Sequence, residues 1–243
     1  MSARRTRATA QRVLRQLRHD PRTVGLLLAV PCVLQILVHE LFADRPQLFQ
    51  SLGVPLLGLF PFVAMFIVTS ITMLRERVSG TLERLLTTPV ARGDLLAGYA
   101  VAFALVAAAQ ALLVSILSFG LLGLESDYPG VVVVLAIANA VLGMSLGLFA
   151  SAFARTEFQA VQFMPAFVLP QILLCGLLVP RDEMATWLQV LSALLPLTYA
   201  YDALARVADG MFGARFWLDV AVVVGVTILA LVLGAGTLRR RTA

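Results

Sequence analysis

Six apolar runs, each about as long as a bilayer is thick, constrain this chain more than any other feature. They cover Thr23–Phe42, Leu52–Met73, Leu95–Leu124, Gly130–Ala154, Phe158–Val179 and Phe216–Leu238. Crossing a hydrocarbon core of about 30 Å as a helix takes about 20 apolar residues. With 60% hydrophobic residues and a mean hydropathy of +0.90, the chain lies well above a soluble domain, where about half the residues are apolar. A bilayer interior offers no water to peptide groups, so spans are helices or a closed barrel. Continuous runs, rather than alternation, exclude the barrel. The expected fold is therefore all-α and integral to a membrane: one domain over residues 1–243 with six spans. The third run is long enough to tilt or to outreach the bilayer. Pro31, Pro55, Pro61, Pro165 and Pro170 fall inside runs and predict kinks or interruptions.

Arginine sets the orientation. Fifteen of the nineteen basic residues fall in the N-terminal segment, the links after the second and fourth runs, and the tail. The other side holds Arg45, Arg181, Arg206 and Arg215. The positive-inside rule then puts both termini in the cytoplasm, with the chain in a cytoplasmic (plasma) membrane. The net charge of +5 reflects this topology. No soluble basic fold is present to carry a nucleic-acid function. The first run has no small-residue cleavage site after it and reads as a retained span.

Residues 1–22 precede that span. Ala10, Val13, Leu14 and Leu17 share one helical side and Arg12, Arg15 and Arg18 the others, as in a helix lying in the membrane interface. A disordered basic tail is the other reading. Asp20-Pro21 predicts a helix start, with Asp as cap and Pro in the first turn.

Every basic residue is arginine, so the chain has no lysine. A P-loop needs its lysine to reach the β- and γ-phosphates, and a Schiff-base lysine is equally excluded. Cys32 and Cys175 lie in apolar runs and read as packing thiols. His19 and His39 flank the first span on opposite sides, and no metal-binding spacing is present. Neither a catalytic nor a cofactor or metal site is expected.

Between the second and third runs lies a charged island, Arg75 to Asp94. Gly80 and Glu83 have the spacing of an N-cap and its N3 acid, with Ser79 as an alternative cap. Thr81 to Thr87 then predicts a helix of about 10 Å. Leu82, Leu85 and Leu86 form its apolar face, and Thr88 before Pro89 stops it. Gly93-Asp94 offers a cap for the third span. The leucines either rest on lipid headgroups or dock in a groove of a cytoplasmic partner.

At these residues the chain resembles a family. Arg75-Glu76-Arg77, Ser79-Gly80-Thr81-Leu82-Glu83-Arg84-Leu85, Pro89-Val90 and Arg92-Gly93-Asp94-Leu95-Leu96 are similar to the segment after the second span in permease subunits of type-2 ABC exporters, the daunorubicin-resistance permeases among them. At Tyr99 the family often has a cation, and this chain departs from it. A second block agrees: Gly176-Leu177-Leu178-Val179-Pro180, Met184, Trp187-Leu188, Leu194-Leu195-Pro196-Leu197-Thr198-Tyr199 and Ala203-Leu204-Ala205-Arg206.

The resemblance implies that residues 75–94 carry a coupling helix in a cleft of an ATP-binding subunit, through Glu76, Arg77, Ser79, Gly80, Thr81, Leu82, Glu83, Arg84, Leu85 and Leu86. It implies short external helices over residues 180–215, with Pro180, Trp187, Pro196 and Tyr199 in a cap. It implies export of an amphiphile, such as a drug, antibiotic or lipid, by two permease subunits, identical or related. ATP and Mg would bind only the partner, and this chain would not be an enzyme. A glycan-lipid permease, a lipid-modifying membrane enzyme and an assembly protein are the alternatives.

The residues support the external block independently. Pro180 opens a helix, Asp182 and Glu183 suit its start, and Trp187, Leu191 and Leu194 line one side at interface depth. Pro196 is expected to end the segment. Asp202 and Arg206 are spaced to pair at i, i+4. Within spans, Gln35, Gln110, Asn139, Gln162 and Gln171 should face protein or a cavity, as packing contacts or as substrate contacts. Gly143, Gly147 and Ser151 mark a small-residue stripe for close packing, within the chain or across a dimer. Phe60, Phe62 and Phe66 are either core or lipid-facing residues, or contacts for an amphiphile. No buried acid–base pair is evident in mid-span, which argues against a proton-coupled carrier.

Overall fold

A computed structural model describes residues 3–79 and 92–237. Helix α1 (Ala3–Arg18) leads into α2 (Pro21–Leu41), α3 (Pro46–Val78), α4 (Arg92–Gly120) and α5 (Pro129–Ala150). A broken segment follows: α6 (Glu157–Phe163), a π-helical turn (Met164–Val168) and α7 (Leu169–Leu174). A 3-10 turn (Arg181–Glu183), α8 (Thr186–Ala193), α9 (Pro196–Ala208) and α10 (Ala214–Gly236) complete it. No strand occurs among the described residues.

Among the described residues five helices, α2, α3, α4, α5 and α10, are long and apolar enough to cross a bilayer. The expected run Phe158–Val179 is not one helix. Pro165 and Pro170 remove two backbone donors five residues apart. The chain answers with a π-turn, in which Leu169 N–H bonds the Met164 carbonyl, and it bends over residues 175–179. Pro31, Pro55 and Pro61 are absorbed inside continuous helices instead. At Pro31 the reason is visible. A proline cannot bond the carbonyl four residues back, here that of Leu27. The buried Gln110 side chain of α4 donates to that oxygen at 2.6 Å.

Helices α3 and α5 form the core pair. Of the apolar stretch of α3, 67% is buried, and of α5 61%, against 17% for α2 and 22% for α10. A Cβ on Gly143 would stand 2.2 Å from the Phe62 carbonyl oxygen, and one on Gly147 2.4 Å from that of Phe66. The small-residue stripe therefore serves packing within the chain, and Thr69 Oγ1 reaches the Met144 carbonyl across it at 3.2 Å. Phe62 and Phe66 are buried in the same core.

Cross-helix contacts sort the helix ends. Arg77 of α3 donates to Thr237 beyond α10 at 3.2 Å, and Arg75 chelates Glu157 at the start of α6 at 2.8 and 3.0 Å. These ends share one side of the bundle with α1. On the far side Gln50 bonds Gly123 and Glu125 at 2.9 Å each, and Tyr128 packs on Phe212. Helix α3, about 50 Å long at 1.5 Å per residue, carries Arg75, Glu76 and Arg77 beyond the span an apolar core requires.

Helix α1 is more enclosed than an interfacial helix need be. Ala10, Val13 and Leu17 are buried in a cluster with Leu95, Tyr99, Ala102 and Phe103 of α4. Gly98 permits this, since a Cβ there would meet Thr9 at 2.4 Å. Asp20 caps α2 as the sequence predicts, accepting from Thr23 N at 3.1 Å and Thr23 Oγ1 at 2.6 Å. Those two bonds hold its carboxyl below the usual range. The cap expected at Gly93-Asp94 is different: the chain is already helical at Arg92, so Asp94 sits inside the first turn, where an acid suits the helix dipole.

Candidate functional sites at the two ends of the bundle

The first site is the root of the charged island. Of its expected residues, Glu76, Arg77 and Ser79 are described; Gly80, Thr81, Leu82, Glu83, Arg84, Leu85 and Leu86 lie outside the described residues. Ser79 closes α3, with its N–H on the Arg75 carbonyl at 2.9 Å. Glu76 turns into the protein. Arg12 reaches its carboxylate at 3.4 Å and Gln16 at 3.2 Å, both from α1. The Arg12 guanidinium also hydrogen-bonds the hydroxyl of Tyr99, which is fully buried on α4. One carboxylate thus ties α1 to the end of α3, and one arginine ties α1 to the start of α4. Those two helix ends are the anchors of residues 80–91. Beside them lies a cavity of about 290 Å³, lined by Gln16, Asp20, Thr72, Glu76, Ser79 and Tyr99 among others. Tyr99, where the sequence departs from the resembled family, is part of this hub.

The second site is the opposite end. Pro180 caps the 3-10 turn, and Trp187 on α8 is 69% exposed, as are Leu191 and Leu194 in lesser and greater degree. The expected apolar side of α8 thus faces outward. Pro196 does not end the segment. It stands at the first turn of α9, where its missing N–H costs nothing. Tyr199 fastens the α8–α9 corner, its hydroxyl donating to the Ala193 carbonyl at 2.7 Å.

The pairing expected between Asp202 and Arg206 is replaced by two longer-range pairs. Arg181 of the 3-10 turn donates to Asp202 of α9 at 2.8 Å, and Arg206 of α9 donates to Asp219 of α10 at 2.9 Å. Side-chain exposures of 19% for Asp202 and 5% for Asp219 show that both acids are taken largely out of water. Burial raises the Asp202 carboxyl above its ordinary range, and Arg181 opposes this. Gly176, at φ +105°, makes the turn that brings Arg181 against Tyr201 and Asp202; a side chain there would be strained.

Asp219 escapes the pattern reading. It is a lone acid five residues into the last apolar helix, the kind of residue that marks a buried partner, and Arg206 is that partner. This acid–base pair is buried near a helix start rather than in mid-span. Ser192 is also invisible in pattern. Buried on α8, it donates to the Leu174 carbonyl at 2.8 Å and so satisfies an orphan acceptor at the end of α7.

Of the polar span residues, Gln35, Gln110, Asn139 and Gln171 are buried and Gln162 is exposed. Gln35 donates to Gly53 at 3.2 Å, Asn139 to Ala200 at 3.3 Å and Gln171 to Phe167 at 2.9 Å, all on backbone carbonyls. These contacts are packing contacts.

The described residues form an all-helical bundle with five candidate membrane spans, and comparison with known proteins gives its family. The chain belongs to the ABC-2 type transporter family, whose model matches residues 4–207. It is 32% identical over 150 residues to the probable multidrug ABC transporter permease YbhR of Escherichia coli (strain K12), covering 60% of this chain and 40% of that protein. It is 28% identical over 144 residues to the linearmycin resistance permease protein LnrN of Bacillus subtilis (strain 168), covering 59% of this chain and 37% of that protein. ABC transporter G family member 20 of Dictyostelium discoideum is 28% identical over 171 residues, 68% of this chain and 23% of that protein. The matched stretch spans less than half of each relative.

Proposed function

We propose that the chain is the membrane-spanning subunit of an ATP-driven exporter that moves an amphiphile, such as a drug, antibiotic or lipid, outward. The observation that carries this is the family membership over residues 4–207, in a chain with no lysine to build a P-loop. A separate ATP-binding subunit hydrolyses ATP with Mg, and a second permease subunit, identical or related, completes the path. Multidrug and antibiotic-resistance relatives support the cargo class.

In this reading the α1 end of the bundle is cytoplasmic, because arginine concentrates there. The α6–π–α7 segment is the remaining crossing, fifth in chain order: with residues 175–179 it is long enough to traverse the core despite its break. The island of residues 75–94 is the coupling segment, pushed by the motor and read out through the ends of α3 and α4, which α1 clamps through Glu76 and Tyr99. The 3-10 turn, α8 and α9 cap the outer end.

Leu85→Asp places a charge in the apolar contact. We expect it to insert normally, to lose pull-down of the ATP-binding subunit and to abolish substrate-stimulated ATPase in reconstituted complex. Full pull-down with full efflux would reject the docking role.

A further inference from the structure

The structure assigns a binding site for an anionic phospholipid between α1 and α4, beyond the transport reading above. Arg4, Arg5, Arg7, Arg15 and Arg18 of α1, with Arg22 at the start of α2, are exposed, and none has a carboxylate partner among the described residues. Arg12, by contrast, is spent on Glu76 and Tyr99. Five guanidiniums on one helix against a membrane bundle, without a carboxylate partner among the described residues, attract phosphate.

The charge alone would describe a diffuse surface; the groove beside it makes a site. A cleft of about 550 Å³ runs along the joint of the two helices. Thr6, Arg7, Ala10, Gln11 and Leu14 form its α1 wall, and Ala97, Val101 and Leu105 its α4 wall. The α4 residues recur every four positions, so they make one stripe descending about 12 Å along a helix that crosses the bilayer. Val101 is 45% exposed and Leu105 55% exposed. The cleft thus has a cation and an amide on its α1 wall and an apolar stripe of a membrane-crossing helix on its α4 wall. Arg4 stands one turn from Arg7 on the same flank. A phosphodiester headgroup meets Arg7 and Arg4, Gln11 donates to an ester oxygen, and an acyl chain lies along Ala97, Val101 and Leu105. Free phosphate would use the cations and leave the stripe uncovered, so the occupant is a lipid of the surrounding bilayer. The site clamps α1 onto α4 next to the anchors of residues 80–91.

The test uses the full chain alone, in nanodiscs of phosphatidylcholine with or without phosphatidylglycerol, both leaflets being of the same composition. Neither motor nor orientation enters, so its failure is separable from failure of the export reading. We expect phosphatidylglycerol to raise the thermal midpoint and native mass spectrometry to find it retained through delipidation. Arg4→Gln and Arg7→Gln should each weaken retention about fivefold. Val101→Trp, at an exposed position, should fill the groove and displace the lipid with all arginines intact. Equal retention of phosphatidylcholine, an equal shift from glycerol 3-phosphate, or retention unaffected by Val101→Trp would overturn the site. The last result would leave only a diffuse cationic surface for lipid or an acidic partner.

Discussion

The two polar regions of the bundle solve opposite electrostatic problems. At the α1 end, one carboxylate, Glu76, is shared by an arginine and an amide from a single amphipathic helix, with a tyrosine hydroxyl behind them. The groups are long and the 290 Å³ cavity beside them leaves room to rearrange. At the far end, two carboxylates are each matched by one arginine across a helix boundary, in short contacts of 2.8 and 2.9 Å. Paired buried charges add little net stability over apolar residues, but losing one partner is costly because it strands the other. The far end is therefore built to stay in one geometry. The α1 end instead has longer carboxylate contacts, at 3.4 and 3.2 Å, with open space beside them.

The largest expected effect is at the far end. Arg206→Ala strands Asp219 and should destabilise by about 3–5 kcal/mol, read as a fall in the detergent melting temperature. The apolar double replacement Arg206→Met with Asp219→Leu should recover most of that loss. Full tolerance of Arg206→Ala would remove the contrast between the two ends.

Arg181→Ala should cost less, about 1–3 kcal/mol, since Asp202 keeps more access to water. Its signature is the pH dependence. Asp202 in the fold has a carboxyl pKa above the unfolded value of 3.8, so the folded state holds its proton more tightly. Its contribution is then favourable at low pH and is lost as pH rises through the folded value. Without Arg181 that value rises further, and the loss grows. Melting curves should show the variant close to wild type near pH 4 and well below it at pH 7. Asp202→Asn in the variant background should flatten the difference.

Glu76→Gln keeps an acceptor for Arg12 and Gln16 and should change stability by about 1 kcal/mol or less. If the joint serves coupling, the same variant lowers transport per ATP hydrolysed, measured in liposomes with the ATP-binding subunit. A large melting shift with normal coupling would make Glu76 a structural residue only. The smallest effect is Arg75→Gln. Its pair with Glu157 is more than half exposed on both sides, so we expect under about 1 kcal/mol and no difference from wild type in high salt.

These two regions also differ in how far sequence reveals them. Local rules found what is local: the Asp20 cap, the buried face of α1 through Ala10, Val13 and Leu17, and the small-residue stripe at Gly143 and Gly147. At the far end i, i+4 spacing makes Asp202 and Arg206 natural partners, yet Asp202 pairs with Arg181 and Arg206 with Asp219. Turning the chain at Gly176 and Gly210, both at positive φ, delivers Arg181 and Asp219 to better-placed positions. Five prolines inside runs looked alike in sequence. Pro31 sits in a continuous helix with Gln110 supplying a donor at its vacated carbonyl, whereas Pro165 and Pro170 act close together and give a π-turn.

Composition and run length determined that the chain is an all-helical membrane protein, because a bilayer leaves peptide groups no other way to bond. The missing lysine ruled out a P-loop, because that chemistry needs its ammonium group. Only the tertiary structure decided that α3 and α5 are the core pair, that Glu76 is held by α1, and that the far end is locked by two crossed ion pairs. Each depends on which residues distant in sequence are brought within a few ångströms, and helical periodicity carries information only to the next turn or two.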